Sequence, residues 1–160
     1  MPPALLSTRP PTANVTSMTS IVVGVEPSTP AAVVAEAARL AAGLGVALWC
    51  VHAESGRWVT EKLPDNVLEA RQRLEPDFAA RLDAQLEGTG VDQVQQLSLA
   101  GDPAKVLAAV AASAGARMIV VGARRPGLRS RFEELLDGSI AVALATRQPV
   151  PVLVVPSQPQ

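Results

Sequence analysis

The chain has 160 residues, of which 48% are hydrophobic and 18% are charged, and its formal net charge at pH 7 is −1. That length suits one domain, and the near-neutral charge argues against general binding to nucleic acid or to an anionic membrane surface. No apolar run approaches the roughly 18 residues that a membrane helix needs. The single cysteine, Cys50, cannot form a disulfide within the chain, which fits a reducing, cytoplasmic location.

The two ends of the chain differ in composition from its middle. Residues 1–19 are rich in Pro, Ser and Thr, and such a segment cannot bury enough apolar surface to offset the entropy lost on ordering. We therefore expect a disordered tail at 1–19, a domain at 20–156 and a short tail at 157–160. Met18 lies directly before the first apolar run, so a second interpretation is that translation starts there, which mass spectrometry of the native protein would decide.

The first half of the domain alternates apolar runs with a helical pattern. Residues 20–25 are apolar and β-branched, which predicts a buried strand. Residues 31–44 place apolar side chains at helical spacing, and Gly45 is expected to end that helix. Residues 46–53 then predict a second apolar strand.

The second half continues the alternation. An apolar stripe within residues 65–87 predicts a longer helix that Pro76 breaks or kinks. Residues 91–100 alternate imperfectly, which predicts a half-exposed strand at an edge of the sheet. The remaining predicted elements are helices at 103–114 and 139–146 and strands at 118–121 and 150–155.

Two helix starts carry recognisable capping residues. Pro30 fits the first turn of one helix, with Ser28 or Thr29 as the N-cap. Asp102 and Pro103 predict a cap and a first helical position for another.

This order of elements predicts a doubly wound α/β domain, with a mostly parallel five-stranded sheet flanked by about four helices. Ligands of such sheets bind beyond the carboxyl ends of the strands, where the strand order reverses. Residues 26–28 follow the first predicted strand and residues 122–127 follow the fourth. We therefore expect a binding site between these two segments.

The segment after the fourth predicted strand has the chemistry of an anion site. The strand ends at Gly122, an arginine-rich loop follows, and Gly138-Ser139 precede a helix, so free N–H groups and the helix dipole could hold a phosphate. Two simpler interpretations remain. Ser139 could only cap its helix, and the arginines could form exposed ion pairs, each worth less than ~1 kcal/mol. The arginines are Arg124, Arg125, Arg129 and Arg131, and their acidic neighbours are Glu133, Glu134 and Asp137.

A metal site is not expected. His52 is the only histidine, and Cys50 and His52 on one strand do not supply a tetrahedral ligand set. Cys50 is predicted to be part of the core.

Several motifs fall in the order found in one known family. They are V-V-G-V-E-P-S at 22–28, G-D-P at 101–103, G-A-R-M-I-V-V-G-A-R at 115–124, G-S at 138–139 and P-V-P-V-L-V-V-P at 149–156. Together they resemble the universal stress protein family over residues 20–156. The resemblance implies an adenine nucleotide alpha hydrolase-like fold that commonly forms homodimers through the last strand, here residues 150–155. Many members bind ATP, others do not, and most lack an established reaction.

The resemblance also implies site residues, although this chain departs from the family pattern. Nucleotide-binding members carry Gly-x-x-Gly, nine residues, then Gly-Ser or Gly-Thr, which Gly122 and Gly138-Ser139 match at the two ends. Position 125 is Arg, and the interval between the end glycines is three residues longer, although Gly127 could replace the second glycine. Glu26 stands where the family usually has Asp near the adenine and ribose. The predicted nucleotide-binding residues are Val25, Glu26, Pro27, Ser28, His52, Gly122, Arg124, Arg125, Gly127, Arg129, Gly138, Ser139 and Ile140.

The first functional hypothesis is a non-enzymatic stress-response dimer that binds an adenine nucleotide, ATP or AMP, with or without Mg²⁺. The second is a nucleotide-free member that acts by protein–protein contact, which the longer loop and Arg125 favour. The third is a slow ATPase in which Glu26 coordinates Mg²⁺. The sequence contains no Gly-x-x-x-x-Gly-Lys-Ser/Thr, no Gly-x-Ser-x-Gly and no Ser/His/Asp set.

Overall fold

The computed structural model describes residues 20–56, 62–123 and 139–156. Five strands form one sheet in the order β3-β2-β1-β4-β5, and every pairing between them is parallel. The strands are β1 Ser20–Gly24, β2 Ala47–Glu54, β3 Val94–Ala100, β4 Ala116–Gly122 and β5 Val152–Val155.

Four helices in the described residues cover the two faces of the sheet. They are α1 Ala31–Leu44, α2 Pro76–Leu86, α3 Pro103–Ala114 and α4 Ser139–Arg147. Ile21 and Val23 of β1 face α1 and α2, whereas Val22 between them faces α3 and α4. This confirms the predicted doubly wound α/β fold, and each helix is held by burial of its apolar stripe on the sheet. No helix in the described residues is long and apolar enough to cross a membrane.

The helix predicted within residues 65–87 is shorter than expected. Helix α2 begins at Pro76, and residues 65–75 form turns and one isolated bridge. Proline has no N–H to donate but has a helical φ, so it occupies the first position of α2 rather than kinking its middle. The Glu75 carboxylate caps the helix by accepting hydrogen bonds from the N–H groups of Asp77 and Phe78, at 3.1 and 3.0 Å.

The two predicted caps have different outcomes. Asp102 caps α3, since its carboxylate accepts from the Lys105 N–H at 3.1 Å. Neither Ser28 nor Thr29 caps α1, whose N-cap residue is Pro30 and which has no side-chain cap. The Thr29 hydroxyl is engaged elsewhere, because its oxygen accepts from the Glu26 N–H at 2.8 Å.

The predicted edge strand is confirmed, but a residue from outside the sheet pairs with it at one point. β3 lies at one end of the sheet, and Gln72 forms an antiparallel bridge to Ser98 with N–O distances of 2.9 and 2.8 Å. The segment that carries Gln72 crosses this edge, because Val67 packs in the α3–α4 layer and Leu74 in the α1–α2 layer. β5 forms the other edge and bonds to β4 alone among the described strands.

Two glycines offer a matched test of packing. A Cβ on Gly101 would lie 2.8 Å from Leu63 Cδ2 and 2.8 Å from Val106 Cγ2, whereas a Cβ on Gly43 would meet nothing within 4 Å. We expect Gly101→Ala to destabilise the protein by about 1–3 kcal/mol through overpacking. Gly43→Ala, in the exposed last part of α1, should stabilise it by about 0.5–1 kcal/mol. Urea unfolding of both variants tests this, and equal effects would contradict the packing described at Gly101.

Cys50 is expected to be unreactive in the folded protein. Its side chain is fully buried, burial raises the pKa of the thiol to about 12, and the nearby Asp83 carboxylate adds to the increase. Because the thiolate is the reactive form, a thiol reagent at pH 8 should label no cysteine in the native protein. The unfolded protein in urea should take up one equivalent and serves as the control. Rapid labelling of the native chain would show that this core opens.

Candidate functional site

The carboxyl ends of β1 and β2 and the start of α3 enclose a cavity of about 280 Å³. All strands of the sheet are parallel, so their carboxyl ends meet at one edge, and the cavity lies beyond it. The described residues that line the cavity are Glu26, Pro27, His52, Ala53, Glu54, Ser55 and Pro103.

A tight turn after β1 presents Glu26 to the cavity. The Thr29 N–H donates to the Glu26 carbonyl at 2.9 Å, and the Glu26 N–H donates to the Thr29 hydroxyl at 2.8 Å. The Ser28 hydroxyl contacts the Glu26 carboxylate at 3.4 Å. The turn is therefore closed by one backbone bond and by the Thr29 hydroxyl, and Glu26 remains exposed at the cavity.

His52 holds the end of β1 in place. Its Nδ1 lies 2.9 Å from the Val25 carbonyl oxygen. A carbonyl only accepts, so Nδ1 is the donor and a neutral ring keeps Nε2 as its acceptor. The imidazole ring also packs edge-on against the Phe78 ring, with centroids 5.6 Å apart. The Arg81 guanidinium lies 5.7 Å from the centroid of the Phe78 ring. His52 thus connects the turn at Glu26 to the packing of α2.

Glu54, the last residue of β2, is a functional candidate that the sequence analysis did not identify. Its Oε1 accepts a hydrogen bond from the Ser98 hydroxyl at 2.7 Å, and Ser98 is only 2% exposed. Its carbonyl accepts from the Gly101 N–H at 3.0 Å. The apolar run predicts a strand that ends at Ala53, which leaves Glu54 outside the sheet. Ligands of parallel sheets bind beyond the carboxyl ends of the strands, and this rule could have identified Glu54 as a site residue.

The walls and the charge of the cavity limit what it can bind. Pro27, Ala53 and Pro103 supply apolar surface, and Glu26 and Glu54 supply two carboxylates. The described lining residues include no lysine or arginine. Such a cavity suits a flat apolar ring that carries hydroxyl or amino donors, because carboxylates accept hydrogen bonds from both.

The β4 side of the same edge lies next to this cavity. Gly122 ends β4, and a Cβ there would lie 3.0 Å from Val33 Cγ2, so α1 crosses closely at this point. Ser139 begins α4, and Ile140 is half-buried and packs into the α3–α4 layer. The Ala123 N–H donates to the Val155 carbonyl at 2.7 Å, which extends the pairing of β4 with β5 beyond Gly122.

The predicted site residues therefore divide into three groups. The structure brings Glu26, Pro27 and His52 together around the cavity, with Val25 and Ser28 bonded to them. Gly122 ends β4, Ser139 and Ile140 begin α4, and Gly122 and Ile140 are not among the described residues that line the cavity. Five predicted residues lie outside the described part of the chain: Arg124, Arg125, Gly127, Arg129 and Gly138.

Another depression, of about 400 Å³, borders Lys62, Leu63, Pro64 and Asp65. It adjoins residues 57–61, which lie outside the described part of the chain. None of the predicted site residues is among the described residues that line it, so the cavity at Glu26 and His52 is the stronger candidate.

The fold matches several solved structures at low sequence identity. A universal stress protein in complex with cAMP matches with 23% identity and a TM-score of 0.61, over 88% of this chain and 98% of that chain. The universal stress protein from Archaeoglobus fulgidus in complex with dAMP matches with 22% identity and a TM-score of 0.59, over 86% and 98%. A universal stress protein family member from Burkholderia pseudomallei matches with 22% identity and a TM-score of 0.54, over 86% and 96%.

A comparison with curated protein sequences found no match. The family model described as "Universal stress protein family" matches residues 18–156, which is nearly the whole chain and includes every described element. The fold, the order of the motifs and this match agree. The chain therefore belongs to the universal stress protein family.

Proposed function

We propose that this protein binds an adenine nucleotide across the carboxyl edge of β2, β1 and β4, and that it acts in a stress response as a non-enzymatic cytoplasmic homodimer. The observation that carries the proposal is the cavity in which Glu26, Pro27 and His52 come together. The complexes of two relatives with cAMP and dAMP support the choice of an adenine nucleotide. In this proposal residues 20–156 form the binding domain, and residues 1–19 and 157–160 lie outside it.

In this proposal each strand end meets a different part of the nucleotide. The apolar walls at Ala53 and Pro103 suit the base, and the Glu26 carboxylate suits the ribose hydroxyls. The start of α4 at Ser139 and the backbone after Gly122 suit the phosphates, since helix N-termini attract anions. If Mg²⁺ accompanies ATP, Glu26 is the described carboxylate between ribose and phosphates that could hold it.

The side chains near the cavity favour binding over catalysis. His52 already uses Nδ1 to hold the Val25 carbonyl, and the Cys50 thiol is buried with a raised pKa. Among the described lining residues, Ser55 is the only hydroxyl nucleophile, and no hydrogen bond joins it to His52. A role as a switch, in which a bound nucleotide stabilises one state, needs no reaction.

We expect isothermal titration calorimetry to detect binding of ATP and AMP to the full chain. Glu26→Ala should weaken binding by about tenfold, because the ribose hydroxyls lose a charged acceptor. Glu87→Gln is the matched control, since Glu87 follows α2 at the end of the sheet where the strands begin, away from the cavity. No binding at millimolar nucleotide, together with an unchanged melting temperature, would support the nucleotide-free alternative instead. ATP hydrolysis that disappears in Glu26→Gln would support the slow ATPase.

The dimer is expected to form through β5, whose outer edge pairs with no other described strand. Val154 is 44% exposed on that strand, and a lysine on an edge strand disfavours pairing with another chain. Val154→Lys should therefore convert a dimer into a monomer in sedimentation velocity. Val142→Lys, on the 59% exposed Val142 of α4, should remain a dimer. A dimer that survives Val154→Lys would exclude pairing through β5.

A further inference from the structure

Glu54 stands out in the cavity because its position is fixed twice. Its carbonyl is bonded to the Gly101 N–H at 3.0 Å, and its Oε1 to the Ser98 hydroxyl at 2.7 Å. Ser98 is 2% exposed, so its hydroxyl would lose its acceptor in a buried place if Glu54 turned away. The carboxylate is therefore oriented before any ligand arrives.

The position of Glu54 along the sheet edge identifies the part of a ligand that it can reach. Neighbouring strands lie about 4.8 Å apart, so β2 lies roughly 10 Å from β4, with β1 between them. The proposed function, on which this inference rests, places the phosphates beyond β4 and the ribose near Glu26. The base then lies beyond β2, where Glu54 ends the strand.

We propose that Glu54, held by Ser98, accepts a hydrogen bond from the exocyclic 6-amino group of the adenine base and so selects adenine over a 6-oxopurine. An ionised carboxylate only accepts hydrogen bonds, so it matches an amino donor. A 6-oxo group presents an acceptor at the same place, and two acceptors that face each other repel. Glu54 is a specificity residue in this account, and Ser98 is a positioning residue that acts through it.

AMP and IMP provide the test, because both carry the same ribose and phosphate and differ only at N1 and the 6-position: adenine has an acceptor at N1 and an amino donor at C6, and hypoxanthine has N1–H and a 6-oxo acceptor. Calorimetry on the full chain should show AMP binding at least about tenfold more tightly than IMP, since a site built for a hydrogen-bond donor rejects the analogue that lacks it. Glu54→Gln should reduce this ratio to about threefold or less, because an amide both accepts and donates. The glutamine oxygen can still accept from Ser98, which keeps the fold.

Ser98→Ala tests the orientation of the Glu54 carboxylate separately from its charge. It retains the Glu54 carboxylate but removes the hydroxyl that orients it, so the AMP-to-IMP ratio should fall between those of the native chain and Glu54→Gln. Glu87→Gln, which removes a carboxylate at the end of the sheet where the strands begin, should leave the ratio unchanged. Thermal melting of each variant confirms that the compared proteins are folded.

Three results would overturn the inference while the proposed function stands. They are equal affinity of the native chain for AMP and IMP, an unchanged ratio in Glu54→Gln, and tighter binding of GMP than of AMP, which would mean that the carboxylate reads the N1–H and 2-amino donors of guanine. If AMP, ATP and IMP all fail to bind, the proposed function fails and this inference fails with it.

Discussion

Strand β1 is bonded on both edges and covered on both faces, so Ile21, Val22 and Val23 are fully buried. Burial on both faces leaves no polar side chain along the strand between Ser20 and its end. The chain leaves the sheet at Val25, where the carbonyl is held by His52, and the next residue is the exposed Glu26. The cavity begins where this strand ends, because Glu26 and Pro27 follow it directly and His52 is bonded to the Val25 carbonyl.

The parallel sheet determines where the site lies and also the order of its chemical groups. Three neighbouring strand ends, at Gly24, Glu54 and Gly122, follow one another along a single edge. Their chemistry changes along that edge, from carboxylates and apolar walls at β1 and β2 to glycine and a helix start at β4. The proposed nucleotide, with an apolar base at one end and phosphates at the other, matches this order in one orientation only.

The fold could be read from the sequence because β-branched runs and helical spacing reflect burial, which is a local property of each segment. The strands, α1 and α3 were predicted to within a few residues for that reason. Pro76 was misjudged because a proline that breaks a helix and one that begins a helix have the same local pattern, and only the Glu75 cap distinguishes them. The carboxylates of the site show the same limit. Glu26 follows directly from the end of β1, whereas Glu54 depends on Ser98, which is 44 residues away in the chain.

The bridge between Gln72 and Ser98 has a consequence for assembly. With that contact one residue at the β3 edge, Ser98, is already paired from within the chain, while β5 bonds only inward among the described strands. A protein whose sheet has two unpaired edge strands can add further copies at both edges and form a fibre. A protein with one such edge can join one copy through a twofold axis, after which no unpaired edge is left. Among the described strands, the bridge at Gln72 therefore leaves β5 as the edge more available to a second copy, and strand pairing through β5 favours a closed pair over a fibre.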